Sequence, residues 1–174
     1  MKLSGKNITL RALEPGDVEL LYKWENDPSV WKLSDTLVPY SRHVLEQYII
    51  SSAQDIYSAK QLRLVICKLN DQTPIGAIDI FDFEPNHLRA GMGIIIADAG
   101  ERRNGYASEA IEILMPYCFD TLHLHQLYCN VAKDNEPSIK LFMKFGFEIT
   151  GIKKQWLRST NGFEDEYLMQ LIRK

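Results

Sequence analysis

Three consecutive isoleucines, Ile94, Ile95 and Ile96, lead into a polar loop that ends Arg102-Arg103-Asn104-Gly105, and Tyr106, Ala107 and Ser108 follow it. Apolar residues then recur at Ala107, Ala110, Ile111, Leu114, Cys118 and Leu122, the spacing of one helix face. This is strand, turn, helix. A helix start leaves backbone N–H groups unpaired, and here two arginines stand beside them with a glycine that admits close approach to the backbone. Such a turn can hold an anion, above all a pyrophosphate. An ordinary helix start with a basic first turn uses the same residue types, and the loop alone does not separate the two. No Gly-Lys-Ser/Thr ends the loop, so it is not a nucleotide P-loop, and Gly91-Met92-Gly93 precedes a strand rather than opening a helix.

The elements around this turn follow in order. Residues 6–13 alternate and read as a first strand. Glu14-Pro15-Gly16-Asp17 turns the chain into a helix carrying Leu20, Leu21 and Trp24, which Asn26-Asp27-Pro28 should end. Residues 31–40 lack periodicity and read as a loop with Trp31 and Tyr40 as aromatic anchors. Ser41 opens a second helix. Residues 61–69 and 75–83 form a hairpin across Asn70-Asp71-Gln72-Thr73, and the chain returns through residues 88–97 as the central strand. After the central helix, which Pro116 should kink or end, residues 126–132 form a short buried strand. Asn135 caps a further helix that Gly146 ends. Asn161-Gly162 joins the last two strands, residues 148–158 and 163–172. The fold class is α/β with a mixed central sheet and helices on both faces, in a single domain over residues 1–174.

At 174 residues and a net charge of -3, the chain has no global attraction for nucleic acid or an anionic membrane. Basic residues must act locally. No stretch has the roughly 20 apolar residues of a bilayer span, and Met1-Lys2-Leu3-Ser4-Gly5 reads as leading into a strand rather than as a signal peptide. Cys67, Cys118 and Cys129 are odd in number and set among apolar residues, which reads as reduced, buried thiols and a cytoplasmic protein. His123-Leu124-His125 lies between two cysteines, but the spacing matches no zinc pattern, so no metal site is expected. Glu109, in the first helical turn, complements the helix dipole.

Residues 102–107 resemble the pyrophosphate motif of the GNAT acetyltransferases: Gln or Arg, two variable residues, Gly, one variable residue, then Gly or Ala. The stretch Asn135-Glu136-Pro137-Ser138-Ile139-Lys140-Leu141-Phe142-Met143-Lys144-Phe145-Gly146-Phe147 resembles the second signature of the same family, and the order of elements matches throughout. The resemblance implies an acetyl-CoA-dependent N-acetyltransferase with the GNAT fold. Ile94 and Ile96 would pair with the pantetheine arm, and a backbone N–H near Ile95 would polarise the thioester carbonyl. Arg102, Arg103, Asn104, Gly105, Tyr106, Ala107 and Ser108 would hold the pyrophosphate. Asn135 would bond the pantetheine, with Ser138 and Lys144 beside the cofactor.

The family's tyrosine, which protonates the departing thiolate, is replaced here by Phe142, so either the thiolate leaves without help, or water or a group such as Tyr106 substitutes. The strands carrying Asp79, Asp82, Glu84 and His87 border the expected acceptor cleft, and Asp82 and Glu84 are the leading candidates for the base. Asp79 and Asp82, three apart, fall on opposite faces of a regular strand. Trp24-Glu25-Asn26-Asp27-Pro28, Arg89-Ala90 and the Asn161-Gly162 hairpin resemble the branch that acetylates ribosomal-protein N-termini, spermidine or diamines. The acceptor is then a small-molecule amine or a peptide N-terminus, attacking directly in a ternary complex, and a homodimer is a further expectation. The rival reading is a non-catalytic acyl-CoA-binding or regulatory domain.

Overall fold

The β-branched and aromatic runs pair into one seven-stranded sheet in the computed structural model, which describes residues 3–34, 36–159 and 162–173. The strands are β1 (Ile8–Ala12), β2 (Leu62–Lys68), β3 (Pro74–Glu84), β4 (Arg89–Ile96), β5 (Gln126–Ala132), β6 (Glu148–Ser159) and β7 (Gly162–Ile172), in the spatial order β1-β2-β3-β4-β5-β7-β6. Every neighbouring pair is antiparallel except β4 with β5, which is parallel.

That parallel pairing is short. It joins Arg89 with Gln126, Ala90 with Leu127 and Gly91 with Tyr128, and then stops. Beyond it β4 stays with β3 as far as Ile96, while β5 stays with β7 as far as Ala132. Each strand is committed to its antiparallel partner, and sheet twist carries the two apart. A wedge-shaped gap opens in the middle of the sheet.

Helices cover both faces. On one, α5 (Tyr106–Pro116) and α6 (Glu136–Lys144) bring Ala110, Ile111, Leu114 and Phe142 onto Leu64, Ile66, Ile78, Ile80 and Met92. On the other, α1 (Val18–Glu25) and α3 (Arg42–Ser51) set Leu21, Trp24, Leu45 and Ile49 on Val65, Cys67 and Ala77. Alternate residues of β2 and β3 therefore feed two cores, as period-two side-chain geometry requires. Pro116 ends α5, and the chain continues as a π turn over Tyr117–Thr121.

Residues 31–34 depart from the expected loop, and Pro28 opens a helix as well as following the end of α1. The helix, α2 (Pro28–Ser34), forms because Asp27 caps it through Oδ1 to Ser29 N at 2.8 Å and Pro28 fits the first turn. A one-turn helix, α4 (Ile56–Ala59), follows α3 under an Asp55 cap. In the last hairpin Ser159 lies opposite Gly162, whose φ is 124°. Asn161 lies outside the described residues, so only the Gly162 half of that expected turn is placed.

Candidate active site

The gap is lined by backbone as well as side chains. Ala97 N donates to Ile75 O at 2.9 Å, and the register sets Ile95 opposite Ala77 and Ile94 opposite Ile78. Amides alternate in direction along an antiparallel strand, so the Ile95 amide turns toward β3 and those of Ile94 and Ile96 turn toward the gap. The Ile95 N–H, expected at the thioester carbonyl, is therefore turned away from the gap. The Ile96 carbonyl already accepts Arg102 Nε at 2.9 Å, which draws the loop against the strand.

Below the gap the loop makes an anion cradle. Arg103 and Gly105 take positive φ values of 66° and 82°, and the first hydrogen bond of α5 is Glu109 N to Gly105 O at 3.0 Å. Tyr106, Ala107 and Ser108 therefore turn their amides out of the helix end, with no side chain on Gly105 to cap them. A Cβ placed at Gly105 would meet nothing within 4 Å, which leaves the space above those amides open. The neighbouring helix contributes a cation, with Lys144 Nζ 2.6 Å from Ser108 Oγ. Arg102 and Arg103 in the loop and Lys144 at Ser108 accompany three outward amides, a donor set that fits a pyrophosphate. Tyr106 lies in a separate surface depression with Lys6, Asn7, Lys68 and Asn70, and does not line the cleft, which removes it as the replacement acid.

Above the cradle the gap widens into a cleft of about 530 Å³. Asn135 caps α6, its Oδ1 accepting Ser138 N at 3.3 Å, and Asn135, Ser138 and Phe142 all line the cleft. Phe142 is 4 % exposed and packs edge-on to Phe147 at 5.1 Å between centroids. It shapes the wall and has no proton to give.

Carboxylates and cations alternate on the opposite, acceptor-side wall. Arg63 holds Asp79 with two hydrogen bonds of 2.8 Å and Glu25 with one of 2.6 Å. Arg63 and Asp79 are opposite each other in the β2–β3 register, and Glu25 comes from the end of α1. Across the gap, Lys153 Nζ donates to Glu166 Oε2 at 2.8 Å and Asn130 Oδ1 at 2.9 Å, and stands 5.2 Å from the Trp156 ring. Glu166 is buried.

Asp82 and Glu84 do not line the cleft. The β3–β4 register shifts between Phe81 and Glu84, and Asp82 takes a φ of 47°, so its carboxylate swings out to accept the Tyr128 hydroxyl at 2.9 Å. Burial first, and then that hydrogen bond, push the Tyr128 phenol up to about 12. Glu84 accepts Asn86 N within its own turn, and His87 is exposed in the same turn. Of the four expected base candidates only Asp79 enters the cleft. Trp31 and Tyr40 also stay outside it: Trp31 Nε1 bonds Glu25 O at 2.7 Å, and Asn26 holds both backbone groups of Tyr40.

Cys129 borders the cleft, and burial pushes its thiol up to about 12, so it is no thiolate nucleophile. Among the described residues no group of three His, Cys, Asp or Glu could hold a metal. Arg63, Lys153 and Glu166 were not signalled by any sequence motif, whereas Glu25 sits inside the Trp24-Glu25-Asn26-Asp27-Pro28 stretch.

Comparison with known proteins agrees with this geometry. Residues 7–148 match the profile of the Acetyltransferase (GNAT) domain. An uncharacterised N-acetyltransferase p20 of Bacillus licheniformis is 27 % identical over 97 % of this chain and 94 % of its own. The spermidine N(1)-acetyltransferase of Escherichia coli K12 is 28 % identical over 85 % of this chain and 76 % of its own. The crystal structure of spermidine N-acetyltransferase from Vibrio cholerae in complex with CoA and spermine superposes with a TM-score of 0.85, at 25 % identity and 95 % coverage of both chains. With the split sheet, the amide cradle and these matches together, the chain belongs to the GNAT family and is an acetyl-CoA-dependent N-acetyltransferase.

Proposed function

We propose that the acceptor is a small diamine or polyamine, acetylated by direct attack in a ternary complex. The observation that carries this reading is Glu25. Its Oε1 is tied to Arg63, and its Oε2 has no partner among the described residues, at the wall of a cleft that holds three carboxylates against two cations. An aliphatic ammonium fits such a site, with Leu21, Trp24 and Val30 to cover a methylene chain. The spermidine acetyltransferases among the relatives support the same class.

In this reading Arg102, Arg103, Lys144 and the amides of residues 106–108 hold the pyrophosphate, and Asn135 bonds the pantetheine arm. The Ile94 or Ile96 amide donates to the thioester oxygen where negative charge develops. Glu25 anchors the far ammonium of the acceptor while its near amine, deprotonated, meets the acetyl carbon. Asp79, locked by Arg63, fixes the position of Glu25 rather than acting as a base. A homodimer through the exposed Ile152 and Phe163 of the last hairpin, and a cytoplasmic setting for three buried thiols, complete the proposal.

The test is thiol release from acetyl-CoA with spermidine, putrescine, L-amino acids and short peptides with free N-termini. Turnover with the diamines and polyamines is expected. Turnover confined to peptides or amino acids overturns the acceptor assignment.

A further inference from the structure

When an amine displaces a thiolate, one proton must leave nitrogen and one must reach sulfur. Phe142 can supply neither transfer, and several other groups on the cleft wall are poor candidates. Arg63 carries a guanidinium that does not deprotonate in proteins, and it is occupied by Asp79 and Glu25. The Cys129 thiol belongs to the packed core. Asn130, Asn135 and Trp156 have no exchangeable acid of suitable strength.

Lys153 differs from all of these in place and chemistry. Two of its three N–H bonds are fixed, on Glu166 Oε2 and Asn130 Oδ1, and the third is unassigned. The β4–β5 register ends at Gly91 opposite Tyr128, and beyond it Gly93 and Ile94 on one strand and Asn130 on the other line the same gap. Lys153, bonded to Asn130, is thereby held at the wall of the cleft into which the Ile94 amide turns. It also lines the same cleft as Glu25, Arg63 and Asp79.

We infer that Lys153 is the proton carrier of the reaction, taking over the task that Phe142 cannot perform. The acceptor lone pair forms the C–N bond to the acetyl carbon, and the C–S bond breaks with its electron pair going to sulfur. Lys153 gives one N–H proton to that sulfur. It then takes the proton shed by the newly acylated nitrogen and is again an ammonium. Amine and thioester become amide and thiol, with no net change at Lys153. Like a phenol, an alkylammonium carries a transferable proton, which phenylalanine lacks. Glu166 is the positioning residue that keeps the ammonium in place.

The step requires acetyl transfer to an amine but not any particular amine, so the best acceptor of the panel serves for the test. Lys153→Met and Lys153→Arg are compared with the wild type for kcat, both KM values and CoA affinity by calorimetry, with thermal melts on each. Arginine keeps the charge and the partner Glu166 but gives up no proton, so it separates proton transfer from structure. The expected result is a fall in kcat of roughly 10²–10⁴-fold in both variants, with KM and CoA affinity within about threefold of wild type. Full kcat in either variant overturns the assignment, and so does a loss that appears only in KM. If Lys153→Met does not fold, the arginine variant alone decides between these outcomes.

Discussion

Glu109 Oε1 accepts the backbone N–H of Asn7 at 2.7 Å, tying the first turn of α5 to the start of β1 across most of the chain length. The same carboxylate takes Ile8 N at 3.3 Å and Asn7 Nδ2 at 2.8 Å. Its sequence role as a dipole partner is thus extended to anchoring the edge strand. Gly5 makes room for it, since a Cβ there would fall 2.3 Å from Glu109 Oε1. Glu109→Ala is expected to cost about 1.5–3 kcal/mol in urea unfolding, because charged hydrogen bonds to backbone are lost. An unchanged midpoint would show that the anchor is dispensable.

Gly105→Val tests the cradle. Its φ of 82° disfavours a β-branched residue, by about 1–2 kcal/mol, yet the position is open and the fold should survive. CoA affinity measured by calorimetry is expected to fall at least about tenfold, since a side chain there covers the amides of residues 106–108. Unaltered affinity in a folded variant would place the pyrophosphate elsewhere.

Glu25→Gln removes a negative charge while preserving shape. For a diamine or polyamine acceptor KM should rise roughly tenfold with kcat and CoA affinity little changed, the pattern of lost ground-state binding. Equal KM values in variant and wild type would leave the Glu25 carboxylate without a part in acceptor binding.

Acid sensitivity should trace to Asp17. It is buried, and burial by itself favours the protonated form, but two Arg11 hydrogen bonds of 2.7 and 2.9 Å and the Glu14 N–H outweigh burial and hold the carboxyl below its usual range. A depressed folded-state value means the stabilisation is present above the unfolded carboxyl pKa of about 3.9 and is lost as pH falls through the folded one. Asp17→Asn is expected to be about 2 kcal/mol less stable than wild type at neutral pH, with the difference shrinking below about pH 4. A gap independent of pH in denaturation curves would point to packing instead.

The strands were legible because β2, β3 and β5 carry apolar runs bounded by turn residues, and the cradle because strand, glycine loop and helix are contiguous. The missing helix α2 has a local reason: Asn26-Asp27-Pro28 reads as a stop signal, yet Asp27 before Pro28 is equally a start signal, and tertiary packing of Val30 chose the second. Asp82 was expected at the cleft because its strand borders it, but the irregularity after Phe81 turns its carboxylate to the Tyr128 hydroxyl instead. The Arg63, Asp79 and Glu25 set and the Lys153 and Glu166 pair were invisible for a different reason. Arg63 meets Asp79, and Lys153 meets Glu166, through strand register, which one residue of slip would have undone, and Glu25 reaches Arg63 from the end of α1 through tertiary packing.

The three-residue seam between β4 and β5 makes the sheet mechanically a pair of leaves, β1 to β4 and β5 to β7, hinged along one short line. An extended, amide-bearing arm lying in the slot would supply the rungs that the polypeptide omits, and such a ligand would act as a structural member carrying load between the leaves. Stiffness across the seam then depends on occupancy. Hydrogen exchange at Ile94 and Ile96 should slow sharply on CoA binding while Ile95, already bonded within its own leaf, stays as it was.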